Sequence, residues 1–334
     1  MKLTQLKLSN FQCFGAGPTA IGLTALCFLL GPNGTGKTAL LQALARMFGL
    51  DPALRRIRKS DFHCKAEDAG KALAGPLTLW IEADFEFPEL KKAKGKHATV
   101  AVHFAQMQLG TAGGVPRVRY RLTATLGEDG DIEEAFQCVI SVDGHDEPTK
   151  SIPVQKHDRS AIQVHYLPAR RDPADHISFA ANALLGRALR AAAWQTESEA
   201  IAKLTGEISA ALSGNAAIEG IGQQLATHWS ALHKGTHYAN PAISFAGSDV
   251  DSLLRHLSLS FAPGAGEPQV DFSRLSDGQQ SLLYLALVLS MQAIGRKVLA
   301  KKSEAFDVDK LRPAVFTLVA MEEPENSLSP HYLG

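Results

Sequence analysis

The sequence predicts an α/β fold in which a glycine-rich turn joins a buried strand to a buried helix. Three observations carry this reading. The run Thr24–Leu30 is almost wholly apolar, as a strand covered on both faces of a sheet is. Gly31 to Thr38 is rich in glycine. Ala39–Phe48 then places Leu40, Leu41, Leu44 and Met47 at helical spacing, with Gly49 as the stop. Far downstream, Val315–Met321 is a second apolar strand, and it ends on two carboxylates, Glu322 and Glu323.

Between these anchors the chain changes character. Leu3, Leu6 and Leu8 with polar residues between them predict a first strand, and Asn10 to Gly15 a turn. From Leu77 to Leu126 the pattern alternates, as in 79–87 and 118–126, which predicts an antiparallel β lobe. Ile162–Leu167 is a short strand closed by Pro168. Ser178 to Leu232 is rich in Ala and Leu with helical periodicity, and breaks are expected near Gly206 and from Gly214 to Gly222. Leu253–Phe261 returns to strand, and Gln279–Ile294 is a helix apolar almost all round, so burial is expected.

Composition bounds the function classes. The chain has 334 residues, enough for one large domain or two smaller ones. With 45% apolar residues it is not wholly disordered. Lys+Arg and Asp+Glu both number 34, so the formal charge of +0 supplies no global pull on nucleic acid. The four cysteines, Cys13, Cys27, Cys64 and Cys138, are widely spaced and form no CxxC. They are read as small buried apolar residues of a reducing cytosol. No apolar run approaches the ~20 residues of a membrane span. The first residues lack a leader-type apolar block, so a soluble cytoplasmic protein without membrane contact is expected.

Gly31-Pro-Asn-Gly-Thr-Gly-Lys-Thr38 matches G-x-x-x-x-G-K-[ST], the phosphate-binding loop, and it lies between strand and helix as that motif requires. Glycines let the backbone curl so that successive N–H groups face one anion. The following helix adds its positive end. The expected ATP site is therefore Asn33, Gly34, Thr35, Gly36, Lys37, Thr38 and Ala39. Lys37 reaches the β- and γ-phosphates, and the Thr38 hydroxyl is a Mg²⁺ ligand. The second acidic element is Glu322-Glu323. Glu322 is the Mg²⁺ ligand, through water, and Glu323 polarises the attacking water. Most phosphate-loop ATPases carry Asp where Glu322 stands.

Leu275-Ser-Asp-Gly-Gln-Gln280 precedes the long apolar helix and resembles the LSGGQ signature of ABC-type ATPases, with Asp277 replacing a glycine. Its plainer reading is an N-cap, for which Ser is an ordinary choice. The resemblance implies two chains sandwiching two ATP molecules, with Ser276, Gly278 and Gln279 completing the partner's site. The fold it implies is an ABC-type ATPase head with an antiparallel β lobe and a helical, dimerisation-type insertion.

Further blocks narrow the resemblance. Leu6-Lys-Leu-Ser-Asn-Phe11 is similar to the I-x-N-F opening of RecF, SMC and OLD (overcoming lysogenisation defect) ATPases. Glu322-Glu-Pro-Glu-Asn-Ser-Leu-Ser-Pro330 looks like the EEPE-x-x-L-H-P of OLD-type proteins. Arg55 to His63 and Tyr166 to Pro173 resemble OLD segments after the first helix and before the helical insert. The family, which includes the Gabija nuclease subunit, implies an N-terminal ATPase and a C-terminal Toprim nuclease acting on DNA, in phage defence or DNA processing. ATP would control the dimer state, a homodimer or higher even oligomer, and the nuclease. Three regions follow: 1–175 with the phosphate loop and β lobe, 176–235 as the helical insertion, and 236–334 with signature and acidic strand. The chain stops at Gly334, before the family's switch histidine and Toprim domain, and His331 sits too close to Glu323 to serve as that switch. A longer natural polypeptide is therefore expected, with nuclease activity only from that domain or a partner subunit. The alternative is a RecF- or SMC-like DNA clamp without cleavage; a transporter ATPase is the weakest rival.

Arg55, Arg56, Arg58 and Lys59, then Lys91, Lys92, Lys94 and Lys96, then Arg117, Arg119 and Arg121 are basic clusters. Each is read as solvated surface ahead of DNA-phosphate contact. His228, His233 and His237 are read as surface histidines.

Overall fold

The computed structural model describes residues 1–64, 76–92, 104, 108–109, 114–168, 176–232, 254, 259–261, 270–271 and 274–323. Alternating sequences build its main sheet. β1 (Lys2–Ser9), β2 (Thr19–Gly22), β3 (Leu77–Glu86), β4 (Gln108–Leu109), β5 (Pro116–Leu126), β6 (Ile132–Val142) and β7 (Pro148–Pro153) form one antiparallel sheet. The strand order is β2-β1-β3-β5-β6-β7, with β4 also on β5. On one face lie Leu6, Leu8, Leu79, Ile81, Phe85, Tyr120 and Leu122, all buried. Period-two geometry sends Lys7, Glu82, Asp84, Arg119 and Arg121 to the opposite face.

Those charges are consumed by one another. Arg119 donates to Asp84 at 2.7 Å and to Asp146 at 3.0 Å, and Lys7 also pairs with Asp146. Arg121 donates to Glu82 at 3.0 Å and lies over the Trp80 ring at 4.3 Å. Burial of Arg119 is outweighed by its bonds to Asp84 and Asp146, which hold it firmly charged. Arg119 is buried and Arg121 half-buried, each held by carboxylates of the same face; Arg117 is exposed.

The apolar face of the sheet packs on α1 (Lys37–Phe48). The helix forms because KTALLQALARMF is rich in Ala and Leu, with Thr38 its one β-branched residue. Its buried side includes Ala39, Leu40, Ala43, Leu44, Met47 and Phe48. Gly49 ends it, its N–H donating to the Ala45 carbonyl. The Phe48 ring meets Phe85, Tyr120 and Phe136 edge-on, at 5.6, 5.8 and 5.6 Å between centroids. α2 (Pro52–Arg55), a 3₁₀ turn (Lys59–Asp61), α3 (Pro88–Lys92) and α4 (Lys156–Arg159) are short connectors.

A second layer rests on β8 (Ile162–Leu167) and β11 (Phe316–Met321), which pair in parallel in register from Ile162↔Phe316 to Leu167↔Met321. α5 (His176–Ala191) lies against α8 (Asp277–Leu299) and α9 (Val308–Leu311), and Leu167, Leu184, Tyr284 and Val288 form a buried cluster there. α6 (Ser198–Ser213) and α7 (Ala216–Leu232) make a helical hairpin that opens at Gly214. Gly206 lies within α6, and Gly220 and Gly222 within α7, so these three glycines are no breaks. β9 (Ser260–Phe261) and β10 (Val270–Asp271) are a small antiparallel pair; most of the strand expected over 253–261 lies outside the described residues.

Three further expectations are corrected. The run Thr24–Leu30 is no strand: β2 ends at Gly22, and Leu26, Phe28 and Leu30 are 72%, 75% and 91% exposed. An apolar run signals burial but cannot name its neighbour. Among the described residues β11 pairs only with β8, and no ladder reaches 24–30. Cys13, Cys27 and Cys64 are exposed; only Cys138 is a buried apolar filler. α8 buries Tyr284, Val288 and Val298 yet leaves Leu289 62% exposed, so it is covered on one side only. By length and composition alone, Gly278–Leu299 also meets the criterion of a membrane-crossing helix.

Candidate functional site

The phosphate loop sits where the exposed segment enters α1. Gly34 and Gly36 hold φ of 85° and 94°, values that favour glycine. At Gly36 a Cβ would stand 2.9 Å from the Cys13 sulfur and 3.0 Å from the Phe14 ring. The turn after β1 is thus pressed against the start of α1. Gly36 is the N-cap of α1 and offers no side-chain cap, which leaves the first N–H groups of the helix for a ligand. Asn33, Gly34, Thr35 and Thr38 are exposed, Lys37 is half-buried, and Ala39 is buried. The Lys37 ammonium donates to the carbonyls of Gly31 at 2.6 Å and Pro32 at 2.8 Å, so its side chain curls back over the loop that a phosphate would fill.

The acidic pair ends β11. The Glu322 N–H donates to the Leu167 carbonyl at 2.9 Å, which fixes the strand end against β8. Glu322 is half-buried; Glu323 is exposed with a φ of 43°. Pro324 to Pro330 and His331 lie outside the described residues, as do Arg170 and Arg171.

Residues to which the sequence assigned no role at the site tie α1 to β8 and to the turn after β1. The Tyr166 hydroxyl accepts from Gln42 Nε2 at 3.5 Å. Burial raises the Tyr166 phenol to about 12, so it keeps its proton. Gln42 Oε1 accepts from Gln12 Nε2 at 2.7 Å, and the same amide reaches Asp61 Oδ1 at 3.0 Å. Asp61 accepts from Arg46 Nε at 2.7 Å, from Arg46 Nη2 at 3.2 Å and from the Arg58 N–H at 2.9 Å. The sequence signals were the blocks Arg55 to His63 and Tyr166 to Pro173, which hold Asp61 and Tyr166, and Gln42, a polar residue among the apolar positions of α1.

The expected signature residues stand at the start of α8. Ser276 caps the helix, accepting from the Gln279 N–H at 3.4 Å, while Gln279 Oε1 accepts from the Ser276 N–H at 3.0 Å. This capping box is the plainer of the two roles the sequence allowed. Gly278 is half-buried beside it. Among the described residues, no hydrogen bond joins Ser276 or Gln279 to 31–38 of the same chain.

Among the described residues no group of three or more His, Cys, Asp or Glu could hold a metal by itself. Thr38 and Glu322 offer two oxygen donors. That is a fit for Mg²⁺, which takes one or two protein oxygens and fills its shell with water and phosphate.

The chain is also similar to known proteins. An SMC ATPase, solved in work on ATP-driven dimerisation and DNA-stimulated activation, is 16% identical; the match covers 41% of this chain and 69% of that one, with a TM-score of 0.25. An Smc head bound to the C-terminal winged-helix domain of ScpA is 12% identical over 98% of this chain and 92% of that one, at a TM-score of 0.39. An Smc head with an extended coiled coil, bound to the C-terminal domain of ScpA from Pyrococcus furiosus, is 11% identical over 98% and 92%, at 0.42. No curated protein matches the chain. Residues 1–111, which hold β1, the phosphate loop and α1, match the family model of an AAA ATPase domain.

Proposed function

We propose that this chain is the ATP-binding and hydrolysing module of an OLD-type DNA endonuclease, in which ATP governs the pairing of two copies and thereby the nuclease. The observation that carries the ATP part is the loop Gly31–Thr38, whose left-handed glycines lead into an uncapped helix with Lys37 folded over it. ATP binding moves the Lys37 ammonium from the Gly31 and Pro32 carbonyls to the β- and γ-phosphate oxygens. The free N–H groups at the start of α1 face the same phosphates. Thr38 Oγ1, and the Glu322 carboxylate through water, would hold Mg²⁺. When bound, that ion neutralises charge developing on the phosphates. Glu323 orients the attacking water by accepting its hydrogen bond. Ser276 and Gly278 of a second copy close the site from the other side.

The pairing part is supported by α6 and α7. Leu204 and Ile208 are exposed on α6, and Ile221, Leu225, Trp229 and Leu232 on α7, where no residue is buried. The spacings 204/208 and 221/225/229/232 make one apolar stripe per helix. Such stripes suit a second copy of the same hairpin. DNA cleavage is assigned to a Toprim domain or subunit joined to this module.

The test uses Glu323→Gln, which retains ATP but cannot orient the water. Sedimentation velocity with ATP and Mg²⁺ is expected to show a doubling of mass that vanishes without nucleotide. A sedimentation coefficient unchanged by ATP contradicts the pairing.

A further inference from the structure

β8 and β11 carry polar side chains on the face that meets the helices. Period-two geometry puts Gln163 and His165 on one face of β8, and Thr317 of β11 pairs with Gln163. Gln163 and His165 are 6% and 3% exposed, in a place where a core face is ordinarily apolar. With Arg187 of α5, Gln292 of α8 and Arg312, the C-cap of α9, they line a cavity of about 20 Å³. That is room for one or two waters, or for one or two oxygen atoms of a larger anion.

Two guanidinium groups line this cavity and no Asp or Glu does. Arg187 is half-buried, and among the described residues it has no hydrogen-bond or ion-pair partner. Burial lowers its pKa, and Arg312 is near enough to add to that shift. Arg312 is exposed; its Nε donates to the Asp309 carbonyl at 3.3 Å, and its own carbonyl accepts from Gln163 Nε2 at 3.5 Å. His165 is no third charge: its Nδ1 is engaged with the Tyr284 hydroxyl, and burial keeps the ring neutral at pH 7. Two like charges around a polar cavity, with no carboxylate to balance them, are unfavourable until an anion enters.

We propose that this cavity is a binding site for inorganic phosphate, which seats one or two oxygens inside it between Arg187 and Arg312. Guanidinium groups match phosphate oxygens in geometry as well as charge. The Gln292 amide and the Thr317 hydroxyl are neutral polar groups of the same lining. The site is distinct from the phosphate loop and the acidic strand end. It lies at the start of β11, whereas Glu322 follows the end of that strand. Gln292 stands about 24 Å along α8 from Ser276. The cavity is too small for a nucleoside, so free phosphate is expected in preference to a nucleotide.

The test is equilibrium dialysis with radiolabelled inorganic phosphate at constant ionic strength. The full chain carries Lys37→Ala, so that the phosphate loop has lost its ammonium. Saturable binding of one phosphate per chain is expected, at least about tenfold weaker once Arg187→Gln or Arg312→Gln is added. Melting temperatures without phosphate are expected to stay the same. If Arg187→Gln lowers the melting temperature, Arg312→Gln decides alone, because that side chain is exposed. No saturable binding, or binding within twofold in the deciding variants, overturns the proposal. AMP that displaces the label as well as unlabelled phosphate does overturns the choice of free phosphate.

Discussion

Asp61→Ala removes the buried carboxylate that anchors Arg46 of α1. Its carboxylate is 1% exposed and accepts from Arg46 twice, from Arg58 and from Gln12. Arg46 is itself only 7% exposed, and its other anchor is the Leu54 carbonyl at 2.7 Å. The variant therefore leaves a guanidinium buried without its counter-charge. Breaking a buried pair from one side costs about 3–5 kcal/mol. Replacing both partners by apolar groups of similar volume is far milder, so Arg46→Met/Asp61→Leu is expected within about 2 kcal/mol of wild type. Urea unfolding followed by near-ultraviolet circular dichroism reads the three proteins side by side. A loss under about 1 kcal/mol in Asp61→Ala, or a double variant as unstable as the single one, refutes the reasoning.

Other predictions follow from single residues. Gly36→Ala forces φ +94° on a residue with a Cβ and drives that carbon to 2.9 Å from the Cys13 sulfur. The backbone part alone costs about 1–2 kcal/mol. A lowered melting temperature and weakened ATP binding are expected; a variant equal to wild type in both contradicts the geometry. His165 is 3% exposed and holds the Tyr284 hydroxyl at 2.8 Å. Burial, and then the nearby Arg187, push its pKa down from 6.5 to about 4. The unfolded chain thus binds this proton first. The contribution is full above pH 6.5 and is lost as pH falls from 6.5 toward 4, by up to about 3 kcal/mol. His165→Gln should flatten stability across that window, and an undiminished slope would count against the assignment.

Legibility in the sequence followed the kind of interaction. β1, β3 and β5 were readable because alternation reports one buried face, and α1 because Leu40, Leu44 and Met47 repeat at helical spacing. Thr24–Leu30 misled because its apolar character says nothing about which strand would cover it. Arg119 and Arg121 looked like surface; their carboxylate partners on β3 and at Asp146 come from a register that no local pattern encodes. The phosphate loop was legible because a contiguous motif makes it. The Tyr166–Gln42–Gln12 row was not, since each link joins residues far apart in the chain.

The central claim is that Gly31–Thr38 holds ATP through Lys37. Its most direct test is equilibrium binding of a fluorescent ATP analogue, with Mg²⁺, to the wild-type chain and to Lys37→Ala. The account predicts saturable binding to wild type, displaced by unlabelled ATP, and loss of that binding in the variant. Equal binding by both proteins, or none by wild type, would contradict it.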